Sequence, residues 1–414
     1  MAGWILINSK QDFLIESKIN ELKLSLNKIN SELSVSHTKL NNFNHLILWS
    51  FRSDNYYPDT IIKPISESSE KYFIHGSPKF PKEFRVNAKN ISESLTSLNG
   101  SFCFVLPQND SILIAVDRIA SQPVWFNFDN GLWIAANHTS VISLLKSERI
   151  EIDKVSLYTF FSTSRHFGKY GLFKNFINLN GGEYVELKLS NPVPNIKKWF
   201  SFCYKPNLKL SKAKLADKIS EQLETSSSRI LENSEFTYLF LSGGMDSRVA
   251  AAALGNRVNG ITISTVYNMN SKVAEKVANA TGIDHSIIYR DPHWYLDSFK
   301  EAAFISGGNF NLAQAHFIPA IKKTIKNHPK AVFILGDMIE NYNKHYFKEA
   351  TRLDENLDVS DKINQIFSYS HPDFDRLDKL FNPDFITLVK KQNKLRISET
   401  FKQAEKVSNE KSDQ

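Results

Sequence analysis

Cysteine is scarce in this chain: Cys103 and Cys203 are the only two in 414 residues. That count excludes a disulfide-stapled scaffold, and with no paired Cys/His spacing it also excludes a zinc site. Both cysteines stand beside phenylalanine in apolar surroundings, so buried thiols in a reducing cytoplasm are expected. Long apolar runs are missing too. No window approaches a membrane span, and the apolar stretch 1–8 is too short for a signal peptide. A Gly-x-x-x-x-Gly-Lys-[Ser/Thr] phosphate loop is absent. So is a concentrated basic face. The net charge is +7, and the lysines are scattered or lie in helix-like stretches such as 322–327. They read as a solvated surface, which disfavours nucleic acid as a partner.

What remains is an ordinary globular composition, 42% hydrophobic and 23% charged, in a chain long enough for two cores. No internal repeat appears. The first two hundred residues read as α+β with antiparallel pairing. Ser111–Val116 has the composition of a strand. Residues 124–128 and Leu132–Ala136 flank Asp129-Asn-Gly131 as a hairpin. Residues 183–189 alternate as a half-buried strand, and 13–33 and 155–161 read as helices. Asn191-Pro-Val-Pro-Asn195 and Lys205-Pro-Asn207 flank an expected linker.

Beyond it strands and helices alternate. Helix 213–231 leads to strand 236–241, helix 248–254, strand 260–265, helix 271–281 and strand 286–289. Helix 317–326 and strand 331–335 come later. Gly255 and Gly282 stand where helix-stopping glycines belong. This rhythm predicts a parallel sheet whose ligands bind at the carboxyl ends of the strands.

The most informative segment is Tyr238-Leu-Phe-Leu-Ser-Gly-Gly-Met-Asp-Ser-Arg248. A buried strand runs into Ser242-Gly243-Gly244-Met245-Asp246-Ser247, and an alanine-rich helix follows. Free backbone N–H groups, two hydroxyls and the helix N-terminus converge there, a setting that favours a polyphosphate. Two adjacent glycines allow close backbone approach. Asp246 would repel a bare phosphate, so its expected role is to hold Mg²⁺; the bland alternative is a helix-capping aspartate at a tight turn. Strand 331–335 ends in Gly336-Asp337-Met-Ile-Glu340. A parallel sheet can bring Asp337 and Glu340 to the same metals, although carboxylates also commonly decorate such helix starts.

These residues resemble the asparagine synthetase family, an Ntn-type glutamine amidotransferase domain joined to an ATP-pyrophosphatase (PP-loop) synthetase domain. In the first half the resemblance rests on Leu98-Asn-Gly-Ser-Phe-Cys-Phe104, Ile114-Ala-Val-Asp-Arg118, Gln122-Pro-Val-Trp125 and Leu132-Trp-Ile-Ala-Ala136. In the second it rests on Ser-Gly-Gly-Met-Asp-Ser, on Ile261-Thr-Ile-Ser264, and on Ala274-Glu-Lys-Val-Ala278 with Gly282 and His285. The implied fold is an Ntn-hydrolase-like α+β domain of stacked antiparallel sheets, 1–200, followed by a parallel-sheet α/β domain like the adenine nucleotide alpha hydrolases, 208–402. Residues 403–414 are expected to form a flexible tail. The implied cofactors are ATP and Mg²⁺. ATP would be held by Leu241, Ser242, Gly243, Gly244, Asp246, Ser247, Ile263 and Gly336. Asp246, Asp337 and Glu340 would be catalytic, with Asp246 and Glu340 on the metal. The implied reaction adenylates a carboxylate, releases pyrophosphate, and lets an amine attack.

Three departures refine this expectation. The family's glutaminase uses a cysteine directly after the initiator methionine. Ala2 stands there, no Arg-His-Arg-Gly-Pro-Asp motif occurs, and His75-Gly-Ser77 replaces the glutamine-holding Asn-Gly-Glu segment. The first domain is therefore expected to be a degenerate amidotransferase without glutaminase activity. The acceptor region 306–316 is amide-rich: Asn309, Asn311 and His316 are the candidate substrate residues, with a core role for His316 equally open. Amides suit a sugar or peptide carboxylate better than free aspartate. Third, only 341–414 follow the second acidic motif, and no residue there takes the family's late basic role. The leading reading is an AMP-forming amide ligase using ammonia or another amine, in the cytoplasm, with a homodimer left open. The alternatives are a pseudoenzyme that binds nucleotide or a partner and, more remotely, a tRNA-modifying PP-loop enzyme.

Overall fold

The structure is a computed structural model that describes residues 2–9, 12–51, 60–64, 71–82, 84, 86, 90–108, 111–129, 131–145, 149–163, 166, 168–188, 190–202, 210–232, 234–309, 315–336, 379 and 381–410. Its contacts divide it into two compact units. The first comprises Met1–Tyr204, Phe304–Asn311 and Val359–Gln414; the second comprises Lys205–Ala303 and Leu312–Asp358.

Among the described residues the first unit holds twelve strands. They are β1 (Ala2–Asn8), β2 (Ser34–Lys39), β3 (Asn44–Ser50), β4 (Thr60–Pro64), β5 (Lys71–Lys79), β6 (Asn99–Pro107), β7 (Ser111–Val116), β8 (Trp125–Asp129), β9 (Leu132–Ala136), β10 (Ile177–Asn178), β11 (Glu183–Lys188) and β12 (Asn191–Lys198). They form two six-stranded sheets, β10-β8-β9-β1-β3-β2 and β12-β11-β7-β6-β5-β4, with antiparallel pairing between neighbours such as β1 and β3, β6 and β7. Side chains alternate across the pleat, and that alternation sets the layers. Trp4 and Leu6 of β1 join Val105, Ile114 and Val185 in one core cluster. Ile5 and Ile7 face the other way, onto Ile15, Ile19 and Leu22 of α1 (Asp12–Asn27). On the second sheet Phe102 and Phe104 pack against Leu95 of α2 (Ile91–Ser97). The result is helix, sheet, sheet, helix. Burial on both faces explains why β1 reads as a continuous apolar run.

Helices α3 (Thr139–Leu145) and α4 (Lys154–Thr163) also belong to this unit, as does α10 (Pro383–Glu410), numbered after the helices of the second unit. Val389 of α10 packs on Val155 and Tyr158 of α4, and Arg396 clasps Asp153 through both terminal nitrogens at 2.9 and 2.8 Å.

Four sequence expectations change here. The Pro-rich segment at 191–195, expected only to flank a linker, is part of strand β12. It lies at a sheet edge, where a residue without an N–H leaves no ladder bond unmade, and its pairing with β11 shifts register between Glu186 and Lys188. Helix α1 stops at Asn27, short of residue 33, where Asn30 turns its side chain onto the Glu32 N–H. The segment 403–410, expected to be flexible, is the last part of α10. Residues 304–311 and α10 count with the first unit, although the division at 208–402 had placed 304–311 and most of α10 in the second domain. Cys103 is a buried free thiol; Cys203 lies outside the described residues.

The second unit contains α5 (Lys212–Leu231), β13 (Thr237–Phe240), α6 (Met245–Leu254), β14 (Asn259–Ser264), α7 (Met269–Thr281), β15 (Asp284–Tyr289), α8 (Phe299–Ser306, which ends in the first unit), α9 (Phe317–Ile325) and β16 (Val332–Leu335). The four described strands are parallel, in the order β15-β14-β13-β16. Leu239, Leu254, Ala274 and Ala278 form the core on one face, and Phe240, Ile261, Ile288 and Ala320 form it on the other. Gly282 ends α7 in the left-handed region at φ 70°, a conformation that suits glycine. The chain steps outward from β13 through β14 to β15, then returns to the opposite side of β13 as β16. The order therefore reverses at β13, and a crevice opens at the carboxyl ends of β13 and β16. Among the described residues no helix is long and apolar enough to cross a membrane.

Candidate functional site

That crevice is a cavity of about 340 Å³, within the range of small-molecule sites. Its polar wall is the turn from β13 into α6; its apolar wall is formed by Phe240, Ile261, Ile263, Phe317 and Leu335. Phe240 and Phe317 meet at a ring-centroid distance of 4.7 Å.

Ser247, 5% exposed, organises the turn. Its hydroxyl accepts from Ser242 N–H at 3.1 Å and lies 3.0 Å from Ser242 Oγ. Ser242 Oγ in turn accepts from Gly244 N–H at 3.1 Å. Gly243 is held on both sides. Its N–H donates to Asn270 Oδ1 at 2.5 Å, and its carbonyl accepts from Arg248 at 2.6 Å. Past Gly244 the helix begins. Its first-turn N–H groups have no intrahelical partner, and the helix dipole adds partial positive charge there.

A second layer fixes where the strand delivers this turn. Thr262, 1% exposed, donates to the carbonyl of Leu241 at 2.6 Å, and His285 Nε2 stands 2.8 Å from the same hydroxyl. Thr262 gives its one proton to Leu241, so its oxygen accepts and the imidazole proton sits on Nε2. Burial holds His285 below its ordinary pKa against the weaker upward pull of Glu275 and Asp284. The imidazole is thus neutral and suited to this donor role.

Leu241, Ser242, Gly244, Asp246, Ser247, Ile263, His316 and Gly336 all line the one cavity; Gly243 lies in the same turn. Asp246 is in the first turn of α6 and is the one acidic side chain among the described lining residues. His316 precedes α9, lies with its ring tilted 38° to that of Phe317 at a centroid distance of 3.9 Å, and accepts from Trp294 Nε1 through its carbonyl. Asn309 falls in the first unit, where its amide is already engaged. It donates to Thr139 Oγ1 at 3.1 Å and accepts from Leu172 N–H at 3.3 Å, bonds that hold a turn and leave little for a substrate. Asp337, Glu340 and Asn311 lie outside the described residues. Sequence reasoning passed over Asn270 and Thr262. Asn270 stands just inside a helix start whose cap is Asn268, and a second asparagine there resembles redundant capping. Thr262 resembles any strand threonine.

The oxygen donors among the described lining residues, the Asp246 carboxylate and the Ser242 and Ser247 hydroxyls, are of the kind that fits a hard cation rather than a softer metal.

No family model matches the sequence, and no curated protein does. Among solved structures, a glutamine phosphoribosylpyrophosphate amidotransferase from B. subtilis, complexed with ADP and GMP, aligns at 10% identity and TM-score 0.29 over 69% of this chain and 65% of that one. An NH3-dependent NAD synthetase from Campylobacter jejuni aligns at 15% identity and TM-score 0.21, over 44% of this chain and 95% of that one. A glutamine-dependent NAD+ synthetase from Acinetobacter baumannii, in complex with ADP, aligns at 15% identity and TM-score 0.21 over 61% and 62%. The chain thus spans less than two thirds of the first and third of these. Likenesses this slight carry no functional argument, which rests on the cavity itself.

Proposed function

We propose that the second unit is an ATP-dependent carbon–nitrogen ligase of asparagine-synthetase type. It adenylates a carboxylate, releases pyrophosphate, and joins the activated acyl group to ammonia or another amine. The observation that carries this reading is the Ser-Gly-Gly turn between β13 and α6, set at the carboxyl end of a parallel strand where the sheet order reverses. The apolar wall accepts a flat base, and the turn accepts phosphates. Asp246 would hold Mg²⁺, which when bound neutralises charge on the departing pyrophosphate. The α6 N-terminus adds electrostatic support fixed before reaction, and the walls of the cavity orient the two reactants. Of the described candidate substrate residues, His316 is the one that lines this cavity.

The first unit serves as an amidotransferase-like scaffold without a glutaminase of its own. In support, the start of β1 is walled in. A β-carbon at Gly3 would stand 2.6 Å from the Trp49 ring and 2.7 Å from Asn137 Oδ1. Trp49 also belongs to an aromatic cluster, with ring centroids 5.3 Å from Phe51, 5.6 Å from His138 and 6.0 Å from Phe304.

The test is the fate of ATP. Phosphorus NMR on the protein with Mg-ATP, an amine and a panel of sugar, peptide and amino-acid carboxylates should show AMP and pyrophosphate, and Asp246→Asn should abolish both. ADP and orthophosphate as products would overturn the mechanism.

A further inference from the structure

The bond between Gly243 and Asn270 differs in kind from the other bonds of the phosphate turn. Ser242 and Ser247 cap loop amides with hydroxyls, and a hydroxyl that accepts from an N–H can still donate its own proton, as Ser247 does to the carbonyls of Ser242 and Gly244 at 3.0 and 3.2 Å. Asn270 caps Gly243 with an amide oxygen. That atom is an acceptor only, held 2.5 Å from the Gly243 nitrogen. A phosphate oxygen is also an acceptor, so the two cannot share one N–H, and their partial charges repel.

The capping group also comes from elsewhere in the chain. Asn270 lies 27 residues from Gly243, in the first turn of α7, and lines the same cavity as Ser242 and Ser247. It is free to leave without cost to its helix, because α7 is capped separately: Asn268 Oδ1 accepts from Ser271 N–H at 3.1 Å. Gly243 itself would not drift when Asn270 swings away, since Arg248 holds its carbonyl at 2.6 Å.

From this geometry we infer that Asn270 is an intramolecular competitor for polyphosphate. Its side-chain oxygen stands in for a phosphate oxygen on the Gly243 N–H, and nucleotide binding requires the side chain to rotate out. Asn270 thereby sets the affinity of the turn for phosphate. The inference rests on the proposed phosphate role of the turn and adds a specificity-determining residue to it.

Calorimetric titration of the full-length protein with inorganic pyrophosphate and with Mg-ATP tests the idea. Asn270→Ala removes the competitor and leaves a solvent-accessible N–H. Affinity for both ligands should rise about 3- to 10-fold, the range expected for one net hydrogen bond. Asn270→Asp keeps the acceptor and adds a negative charge, so affinity should fall at least about tenfold. Hydrogen exchange at the Gly243 amide should quicken in Asn270→Ala and stay slow in the parent. Asn270→Ser, whose hydroxyl is too short to bridge the same gap, should follow the alanine variant and guards against a folding defect peculiar to alanine. Unchanged or weakened binding in both Asn270→Ala and Asn270→Ser, with the parent binding normally, would overturn the competitor role and leave the ligase reading intact. If neither parent nor variants bind pyrophosphate or Mg-ATP, the phosphate turn itself is refuted. Binding only in the variants would support a competitor that dominates the parent.

Discussion

Gly336 and Ser247 touch through their backbones: a β-carbon on Gly336 would lie 2.6 Å from Ser247 Cα and 2.7 Å from its nitrogen. This contact puts the end of β16 directly against the first turn of α6, so the two segments that flank the crevice are fixed to one another. Neither backbone can yield as the tip of a side chain could. Gly336→Ala should therefore destabilise the second unit by about 1–3 kcal/mol, as overpacking does. It should also weaken Mg-ATP binding more than a destabilised but undistorted site would. Denaturant melts and calorimetry on the same preparation check this. A variant with parent-like stability and affinity would show that the two segments separate freely.

The layer behind the turn gives a second outcome. Thr262→Val is close to isosteric but deprives the Leu241 carbonyl of its donor and His285 of its acceptor. Leaving such groups buried and unpaired costs about 1–3 kcal/mol. Because Leu241 delivers the chain into Ser242, nucleotide affinity should fall along with stability. Thr262→Ser, which keeps the hydroxyl, should recover most of the affinity; parent-like affinity in Thr262→Val with a loss only in Thr262→Ser would point to packing of the methyl group instead.

Much of the second unit was legible because its elements are short, periodic and punctuated. Strand 260–265 was expected and Asn259–Ser264 formed; helix 271–281 was expected and Met269–Thr281 formed, ended by Gly282 as predicted. The hairpin about Gly131 was legible for the same reason. Errors arose where tertiary position overrode local preference. Pro192 and Pro194 read as the border of a linker, whereas the sheet edge makes their missing N–H groups harmless. Buried strand β3 carries no alternation to betray it, since every residue from Asn44 to Ser50 is buried. Within the site, residues on the turn itself were readable. Asn270 was not, because the contact that matters spans 27 residues, and no local pattern encodes it.

Arg396 and Asp153 tie α10 to α4, with side chains only 22% and 15% exposed. Burial raises the Asp153 pKa, but the hydrogen bonds and charge of Arg396, aided by Ser156, outweigh it and hold the carboxyl below its ordinary 3.8. A depressed carboxylate contributes stability that is complete above the unfolded pKa and is lost as pH falls through the folded one. Arg396→Ala should thus cost about 1–3 kcal/mol at neutral pH. The gap between parent and variant should narrow as pH falls below 3.8. Urea melts across that range decide it, and a gap independent of pH would mean that Arg396 acts through its packing on Tyr170, 4.0 Å from the ring centroid.

The first unit also carries an acid-sensitive element of opposite charge. His75 on β5 is pushed from 6.5 down to about 4, first by burial and then by repulsion from His138. Burial likewise holds His138 below its ordinary value, against the hydrogen bond it donates to the carbonyl of Ile305. The folded state therefore keeps His75 neutral at pH values where the unfolded chain has already protonated it. Protons bind the unfolded state more readily between pH 6.5 and about 4, so stability is full above 6.5 and declines through that window. With 1.36 kcal/mol per pKa unit, the decline attributable to His75 is on the order of 2–3 kcal/mol by pH 4.5. A glutamine at this position cannot titrate. Expressed as the difference between pH 7.5 and pH 4.5, the stability loss of His75→Gln should be smaller than the parent's by that amount, whatever the variant costs at neutral pH. Denaturant melts of both proteins at the two pH values measure this difference of differences, in which the carboxylates common to both cancel. Parallel stability curves for parent and variant would show that water reaches the imidazole and that the strand pairing around β5 does not keep it neutral.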